Sequence, residues 1–549
     1  MADKKSRTKY IFVVGGVMSG VGKGVTTASI GTILKSKGFR VSLIKADPYL
    51  NVDAGTMNPT EHGEVFVMDS GLETDQDMGN YERFLNQTLP KENYMTNGMV
   101  FKYVIDKERA LGYKGKCVEP TYHITEEILR RINESVKKTN AEIVVVEIGG
   151  TIGEYQNAIF LEAARQLKNK NPKDVMFVMV SYLPTPSSIG EMKTKPTQNA
   201  VMQMNSYGVS PNIIVARAEL PIDKKRKEKI AHMVGLLSSE DVIAAPNVSS
   251  IYDVPINFEN DGLARRILDH FNLKPKQKDL NEWKKVISKS KKSNKEVNIA
   301  VVGKYFDTGD FVLSDAYISV IEALKISGMH LGVKTNLHWL NSKNFEKSLG
   351  GEVKSLSGYD GVLVPGGFGE TGIEGKINAI KYARENKIPY FGLCYGMQLM
   401  VVEYARNVLG VKDAHTVEIN PKTKNPVIDI MPDQKKKLEM KDYGASMRLG
   451  SYEAVIKKGT VAFSAYKKEK VLERHRHRYE VNPEYVKMIE EAGLVFSGKS
   501  PNGVLMEIAE LPKSVHPFFL GTQFHPEFLA RVLEPHPLFT DFIKVCLKK

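Results

Sequence analysis

At 549 residues and 42% hydrophobic content, the chain is long enough for about three or four domains with substantial cores, and no apolar run reaches the length that crosses a bilayer. Its three cysteines, Cys117, Cys394 and Cys546, exclude a disulfide framework, and Met1-Ala2-Asp3-Lys4-Lys5 runs into a strand pattern rather than a secretory apolar segment, so a reducing, cytoplasmic setting is expected. The net charge of +13 invites a nucleic-acid reading, but the excess is local: residues 274–295 hold nine lysines against Asp279 and Glu282, with Lys435-Lys436-Lys437 as a second run. Few aromatics accompany these lysines and no binding module is recognisable, so no nucleic acid and no membrane is expected as a partner.

Tyr10-Ile-Phe-Val-Val14 reads as a buried strand. A glycine-rich turn follows, Gly15 to Gly24, and then a helix from about Val25 to Ser36 that Gly38 can end. Strand, glycine-rich turn and helix are the setting in which backbone N–H groups wrap phosphates and a lysine, here Lys23, adds a point charge. The spacing departs from the usual phosphate-loop pattern. The first glycine comes one place early, and Gly24 stands where a hydroxyl residue is usual. Val41 to Lys45 is the next strand, with Lys45 at the end where open α/β sheets gather ligand groups. The loop Asp47 to Glu64, rich in Pro, Gly, Asn and Thr, is long for a simple connection. Among Glu73, Asp75 and Asp77, one carboxylate is a candidate for Mg²⁺ and a solvated acidic turn is the alternative. A helix over Thr125 to Lys138 precedes the strand Ile143-Val-Val-Val-Glu147. A carboxylate ending such a buried strand usually has a task, and beside a phosphate loop that task is Mg²⁺. Strands Val175 to Ser181, Asn212 to Ala216 and Val242 to Ala245 follow. Between the first two lies Met192-Lys193-Thr194-Lys195-Pro196-Thr197-Gln198, either a second polyphosphate grip or a basic surface loop.

Residues 274–297 read as a lysine-rich linker with some helix over Leu280 to Ile287. Alternating strands and helices then restart: Val297 to Val302, Asp315 to Ile326, Gly361 to Val364 and Ile373 to Glu385. Gly392-Leu393-Cys394-Tyr395-Gly396 follows a strand and precedes a helix from Met397 to Asn407. Small residues on both sides of the cysteine are what a sharp strand-to-helix elbow requires, and the helix N-terminus favours a thiolate there. With Gln523-Phe524-His525-Pro526-Glu527 this makes a Cys-His-Glu set: Cys394 to attack an acyl carbon, His525 to move the proton and Glu527 to orient the imidazole. Pro365-Gly366-Gly367-Phe368-Gly369 places the Gly367 N–H, with that of Tyr395, as candidate oxyanion donors.

Residues 298–549 resemble a class I (triad) glutamine amidotransferase domain, and residues 1–273 resemble the synthase domain of the CTP synthase family. The stretches that carry the likeness are GGVMSGVGKG, KADPYLNVDAGTMNPTEHGEVFV, ETDQDMGNYERF, VEIGGTIGE and GEMKTKPTQ in the first half. In the second they are VGKY, VPGGFG, GLCYGMQ, ERHRHRYEV and QFHPEF. The resemblance implies an α/β protein of two domains: an N-terminal P-loop-like, mostly parallel sheet with helices on both faces, then the amidotransferase α/β domain. It implies ATP-dependent amination of UTP to CTP, with ammonia from glutamine passing through a channel whose mouth lies near His62.

Site residues follow from the same resemblance. Gly20, Val21, Gly22, Lys23, Gly24, Val25, Lys45 and Asp77 would serve ATP, with Pro246, Asn247 and Val248 at its adenine. Gly20 and Val21 depart from the residues usual in the family. Asp77 and Glu147 would hold Mg²⁺, which decides among the three acids above. Ser19, Lys193, Thr194, Lys195, Pro196, Thr197, Gln198 and Lys229 would take the UTP triphosphate, and Glu154, Tyr155 and Gln156 the base and sugar of the product CTP, a feedback inhibitor. Gly367, Tyr395, Gly396, Met397, Gln398, Glu418 and Arg478 would bind glutamine, Glu418 and Arg478 at its charged ends. GTP activation, a homotetramer and the capacity to form filaments are further family traits. The stretch 433–441 is expected to tolerate change.

Overall fold

The structure, a computed structural model, describes residues 7–188, 190–277, 280–292, 294–303, 314–346, 352–367, 369–431 and 447–548. The whole 433–441 stretch with its basic run Lys435–Lys437, Phe368 and the N-terminal Met1–Lys5 lie outside the described residues. Two compact units are present: Met1–Asp53 with Asn80–Lys284, and Ala54–Gly79 with Lys285–Lys549.

In the first unit, among the described residues, seven strands form one sheet. Their spatial order is Tyr94–Thr96, Val41–Asp47, Ile143–Ile148, Lys9–Gly16, Val175–Tyr182, Ile213–Ala218 and Val242–Pro246. Every pairing is parallel. Both faces are covered, which is why the strands read as nearly unbroken Val, Ile and Phe. Alternation sorts the side chains. Phe12, Val14, Ile44, Val144 and Phe177 enter one core with Ile128, Ile132, Phe160 and Val201 from the helices Thr125–Thr139, Ala158–Lys170 and Lys195–Ser206. Leu43 points the other way, where the helix Lys23–Ser36 lies so close that a Cβ on Gly31 would stand 2.8 Å from it. The first strand lies between Ile143–Ile148 and Val175–Tyr182, and the glycine-rich turn leaves its C-terminal end, where such sheets open a crevice.

In the second unit the described residues form a nine-stranded sheet. Lys334–Asn341, Glu296–Gly303, Gly361–Val364, Tyr390–Leu393 and Phe519–Thr522 run parallel. Met506–Glu510, Val495–Lys499, Arg448–Ile456 and Lys470–His477 extend the sheet antiparallel. The parallel sheet that alternating strands and helices favour is therefore found only in the first five strands. The antiparallel strands mix charged residues with apolar ones and lack the continuous apolar runs of Glu296–Gly303 and Gly361–Val364.

Residues 54–79 depart from the continuous 1–273 boundary, because their packing belongs to the second unit. Phe66–Val67 pairs with Glu73–Thr74 in a two-stranded ladder. Phe66 meets Phe528 edge-on at 5.1 Å, and the fully buried Arg474 lies over the Phe66 ring and donates to Asp69 and to the Val67 carbonyl. Arg476 donates to Glu73 at 2.7 Å. The Glu64 carboxylate accepts the Ser319 N–H at 3.2 Å and also its hydroxyl. Buried arginines need carboxylates in reach, and this segment supplies them.

Candidate active site

Cys394 caps the helix Tyr395–Asn407 with φ 48° and ψ −96°, a positive-φ conformation that few non-glycine residues hold. The strain is fixed by close packing on either side. A Cβ on Gly396 would meet the Val364 carbonyl at 2.3 Å, and one on Gly392 would meet the Gly396 backbone at 2.7 Å. The Cys394 N–H donates to the Thr522 carbonyl at 2.6 Å, and its own carbonyl accepts from the Gln398 N–H. The sulfur is thereby held at the start of a buried helix and at the edge of a recess of about 70 Å³.

Gly366, Gly367, His525 and Glu527 share that recess with Cys394. His525 Nδ1 bonds Glu527 Oε1 at 2.7 Å, and the ring stacks on Phe528. Burial by itself would lower the imidazole's pKa. The charges of Glu527 and Cys394, with hydrogen bonds to both, outweigh burial and raise it to about 10. The three residues expected from the sequence are thus brought together, with Nδ1 committed to Glu527. Gly366 carries no role in the sequence motif. A Cβ there would stand 2.8 Å from His525 Cε1, so the imidazole needs glycine at this position. The doubled glycine of the PGGFG stretch is the signal that could have shown it. Pro59, Glu64 and Arg476 also line the recess, and no local pattern pointed to them.

The expected glutamine contacts divide into two groups. Glu418 accepts the Gly369 N–H at 3.0 Å. Glu418 and Arg478 act together on Tyr479, whose phenol is pushed up by burial first and then by Glu418, with Arg478 opposing. Tyr395 is pushed up in the same way, by burial and then Glu418. Glu418 thus acts on both tyrosines and Arg478 on Tyr479, the two signs of charge that recognition of an amino acid's two ends requires. By contrast, Met397 is fully buried against Gly521, so its side chain does not face a ligand, and Gly396 is committed to the elbow. Gln398 is buried and donates to the Tyr479 carbonyl at 3.0 Å and to Gln523 Oε1 at 3.3 Å.

The first unit gathers its own set. Val17, Gly20 and Gly22 take positive φ in the turn, and Gly22 caps the helix that begins at Lys23. Ser19 and Gly20 are exposed, Val21 and Gly24 buried. Lys23 folds back over Gly15, where a Cβ would be 2.9 Å from its Nζ. Gly22, Val25, Pro246 and Val248 line one apolar pocket of about 100 Å³ with Arg217, a residue that no sequence motif marked. Arg217 donates to the Pro246 carbonyl and to exposed Asn247. Lys45 is buried, 2.9 Å from Glu147 Oε1 and 3.6 Å from Asp47, while Tyr81 donates to the other Glu147 oxygen.

Thr197 and Gln198 turn inward, Thr197 to Ser181 at 2.8 Å and Gln198 to Thr194 at 3.2 Å. Lys195 and Lys229 are exposed and Pro196 is half-buried at the start of its helix. Lys193 bonds Glu191, whose carboxyl is lowered first by that bond, with Arg226 and Lys229 adding their charges. Lys193 and Lys229, from different elements, thus both act on the Glu191 carboxylate. Tyr155 is exposed, and Gln156 donates to Glu154 at 3.0 Å.

Asp77 opens the helix Asp77–Leu85. Among the described residues no cluster of three or more His, Cys, Asp or Glu could hold a metal ion. Mg²⁺ beside a triphosphate takes one or two protein carboxylates and fills the rest of its shell with phosphate oxygens and water. Glu147, buried near the end of its strand in the first unit, fits that donor chemistry; Asp77 belongs to the second unit. No helix among the described residues is long and apolar enough to cross a membrane.

Residues 9–273 match the family described as CTP synthase N-terminus, and residues 312–545 match glutamine amidotransferase class-I. The chain is 47% identical to a CTP synthase of Halalkalibacterium halodurans over 99% of this chain and 100% of that one. It is 48% identical to a CTP synthase of Pyrococcus furiosus over 98% and 97%. A solved structure of the Trypanosoma brucei CTPS glutaminase domain with bound acivicin is 37% identical, covers 46% of this chain and 94% of that one, and superposes with a TM-score of 0.42. With both family regions present in order and the similarity running nearly end to end, the chain belongs to the CTP synthase family of glutamine-hydrolysing ligases.

Proposed function

We propose that this chain makes CTP by ATP-dependent amination of UTP, with ammonia released from glutamine at the Cys394 recess. The observation that carries the reading is the triad geometry: a strained, helix-capping Cys394 with His525 held on Glu527 at 2.7 Å. Cys394 Sγ attacks the glutamine side-chain carbonyl carbon, and the N–H groups of Gly367 and Tyr395 receive the oxyanion. His525 gives its proton to the departing ammonia and then takes one from the water that cleaves the glutamyl thioester. Glu527 keeps the imidazole in one tautomer throughout.

In the synthase half, the uracil 4-oxygen takes the terminal phosphoryl group of ATP and so becomes a leaving group. Ammonia then displaces it at carbon 4. Lys23 and the backbone N–H groups of the glycine-rich turn bind and orient the phosphates, and Lys45 is placed to move between Glu147 and an incoming phosphate. The Gly22, Val25 and Pro246 pocket suits an adenine face, and Lys193 with Lys229 suits the UTP triphosphate. Mg²⁺, with Asp77 and Glu147 as its protein ligands, would neutralise charge on the triphosphate. Ammonia is mostly ammonium in neutral water and then unreactive, which is the reason to pass it through the protein, past His62. CTP feedback at Glu154 to Gln156, GTP activation, a homotetramer able to form filaments and a cytoplasmic setting complete the proposal. The last is supported by three free cysteines.

The test is CTP formation from UTP and ATP with Mg²⁺, driven by glutamine or by ammonium at alkaline pH. Cys394→Ala should lose the glutamine-driven rate and keep the ammonium-driven one. If neither protein makes CTP from ammonium while ATP hydrolysis responds to another acceptor, the synthase reading is wrong.

A further inference from the structure

Behind the triad lies a residue that neither the motif nor the reaction scheme assigns. Gln523 is fully buried, and its Nε2 points at Cys394 Sγ from 3.6 Å. Its orientation is forced. The Tyr479 carbonyl can only accept, so it draws Gln398 Nε2 to within 3.0 Å. The second hydrogen of that nitrogen then requires an acceptor, and Gln523 Oε1 answers at 3.3 Å. Turning the Gln523 amide over would set two NH₂ groups against each other and an oxygen against the sulfur. A backbone carbonyl therefore fixes, through two carboxamides, an N–H donor aimed at the nucleophile. The backbone adds rigidity, because the Gln523 N–H donates to the Glu507 carbonyl at 2.8 Å and the Cys394 N–H to the carbonyl of the preceding Thr522.

The sulfur's remaining polar neighbour makes this donor matter. The Arg476 carbonyl lies 3.9 Å away and can serve only a protonated thiol. Once the proton is on His525, that carbonyl repels the sulfur, and Gln523 becomes the neutral donor on it. Hydrogen bonds to an ionised acceptor are about twice as strong as neutral ones, and a thioester sulfur accepts poorly. The interaction is thus present in the attacking thiolate and in the thiolate that leaves when water opens the thioester, and weak between them.

We propose that Gln523 is the positioning residue for the Cys394 thiolate, holding its sulfur opposite His525 through the Tyr479–Gln398–Gln523 chain. The proposal rests on Cys394 being the nucleophile. Other charged and titratable groups around the sulfur are His525 with Glu527, Arg476 with Glu73, and Glu64 across the recess. On the strands beyond are His475, His477, Arg448, Glu480 and Glu507. Because these stay in place, replacing Gln523 isolates its contribution.

The experiment is the pH dependence of Cys394 alkylation by iodoacetamide in the full chain, with kcat and KM for glutamine, on wild type, Gln523→Met and Gln523→Glu. Gln523→Met keeps the side chain's length and removes the donor, and Gln523→Glu, when ionised, sets a carboxylate against the sulfur in its place. The alkylation midpoint should rise by about one pH unit in Gln523→Met and further in Gln523→Glu. The glutamine-driven kcat should fall about tenfold or more, with KM changed less than kcat. Circular dichroism and thermal melting report whether each variant is folded. A folded variant with an unmoved midpoint overturns the proposal even if its rate falls, since that is what a structural residue would do. If neither variant folds, Gln523 serves the core and the proposal falls as well. A wild-type protein that keeps its glutamine-driven rate after iodoacetamide treatment fails differently, because Cys394 is then not the nucleophile.

Discussion

The two candidate sites are built on different principles. Around Cys394 the geometry resides in the backbone: a residue at positive φ, glycines packed against carbonyls and an imidazole seated on the Cα of Gly366. Beyond the glycine-rich turn, around Lys45 and Lys193, it resides in side chains, where cations hold carboxylates of the same unit, Lys45 on Glu147 and Lys193 on Glu191. Attack on a carbonyl needs a nucleophile and base set to within a fraction of an ångström before the substrate arrives. A triphosphate brings its own charge and can exchange with carboxylates for the same lysines. Rigid backbone therefore serves bond-making chemistry, and exchangeable ion pairs serve phosphate binding.

Substitutions can break or sharpen this contrast. The largest effect is expected for His525→Gln, which should lower the glutamine-driven rate by about a thousandfold or more. The ammonium-driven rate should persist, and a parallel fall in both would mean that the sites are not separable. Next comes Gly366→Ala, whose Cβ would press on the imidazole at 2.8 Å. Its glutamine-driven kcat should drop about a hundredfold. Gly20→Ala is the control from the other site, because a Cβ there meets nothing within 4 Å; the φ of 69° leaves only about 1 kcal/mol of strain. Equal losses from the two alanines would erase the distinction. Lys193→Ala removes one charge-assisted hydrogen bond to phosphate and should raise KM for UTP about tenfold, with a smaller change in kcat. Steady-state kinetics at saturating ATP would show it, and an unchanged KM would detach Lys193 from UTP.

The smallest effect concerns acid. His516 is held to a pKa of about 4 by burial, against hydrogen bonds with Ala383 and Phe518 that act the other way. As pH falls below the ordinary value of 6.5, the unfolded chain takes up a proton that the folded protein refuses. Stability should therefore fall between about 6.5 and about 4 and level off below that. His475 and His477, buried and lowered well below the ordinary value, act in the same direction. His516→Gln should flatten the upper part of that decline in thermal melts, while costing about 1 kcal/mol at neutral pH through altered hydrogen bonds. A decline as steep as in wild type would shift the acid sensitivity to His475 and His477.

Much of this was legible along the chain. The strand, glycine-rich turn and helix around Gly15 to Ser36, and the strand-cysteine-helix elbow, are local: a few glycines and the period of apolar residues dictate them. The oxyanion candidate Gly367 was visible, but the need for Gly366 was not, because that need arises from His525, a residue more than 150 positions away. The antiparallel extension was missed because its strands mix charged residues with apolar ones, and the buried partners of their charges lie on other strands. Arg448 on Glu480 and Glu507 is an example.

By itself the sequence determined most strands of the first unit's sheet, which cysteine sits on an elbow and which lysine follows the glycine-rich turn. Each depends on backbone preference and apolar period within about a dozen residues. The tertiary structure alone decided that residues 54–79 leave the first unit's packing, that Arg474 and Arg476 find Asp69 and Glu73, and that Gln523 faces the sulfur. These are pairings of polar groups more than a hundred residues apart. Their strength comes from exclusion of water, and only the order of strands in the folded sheet determines which groups are excluded together.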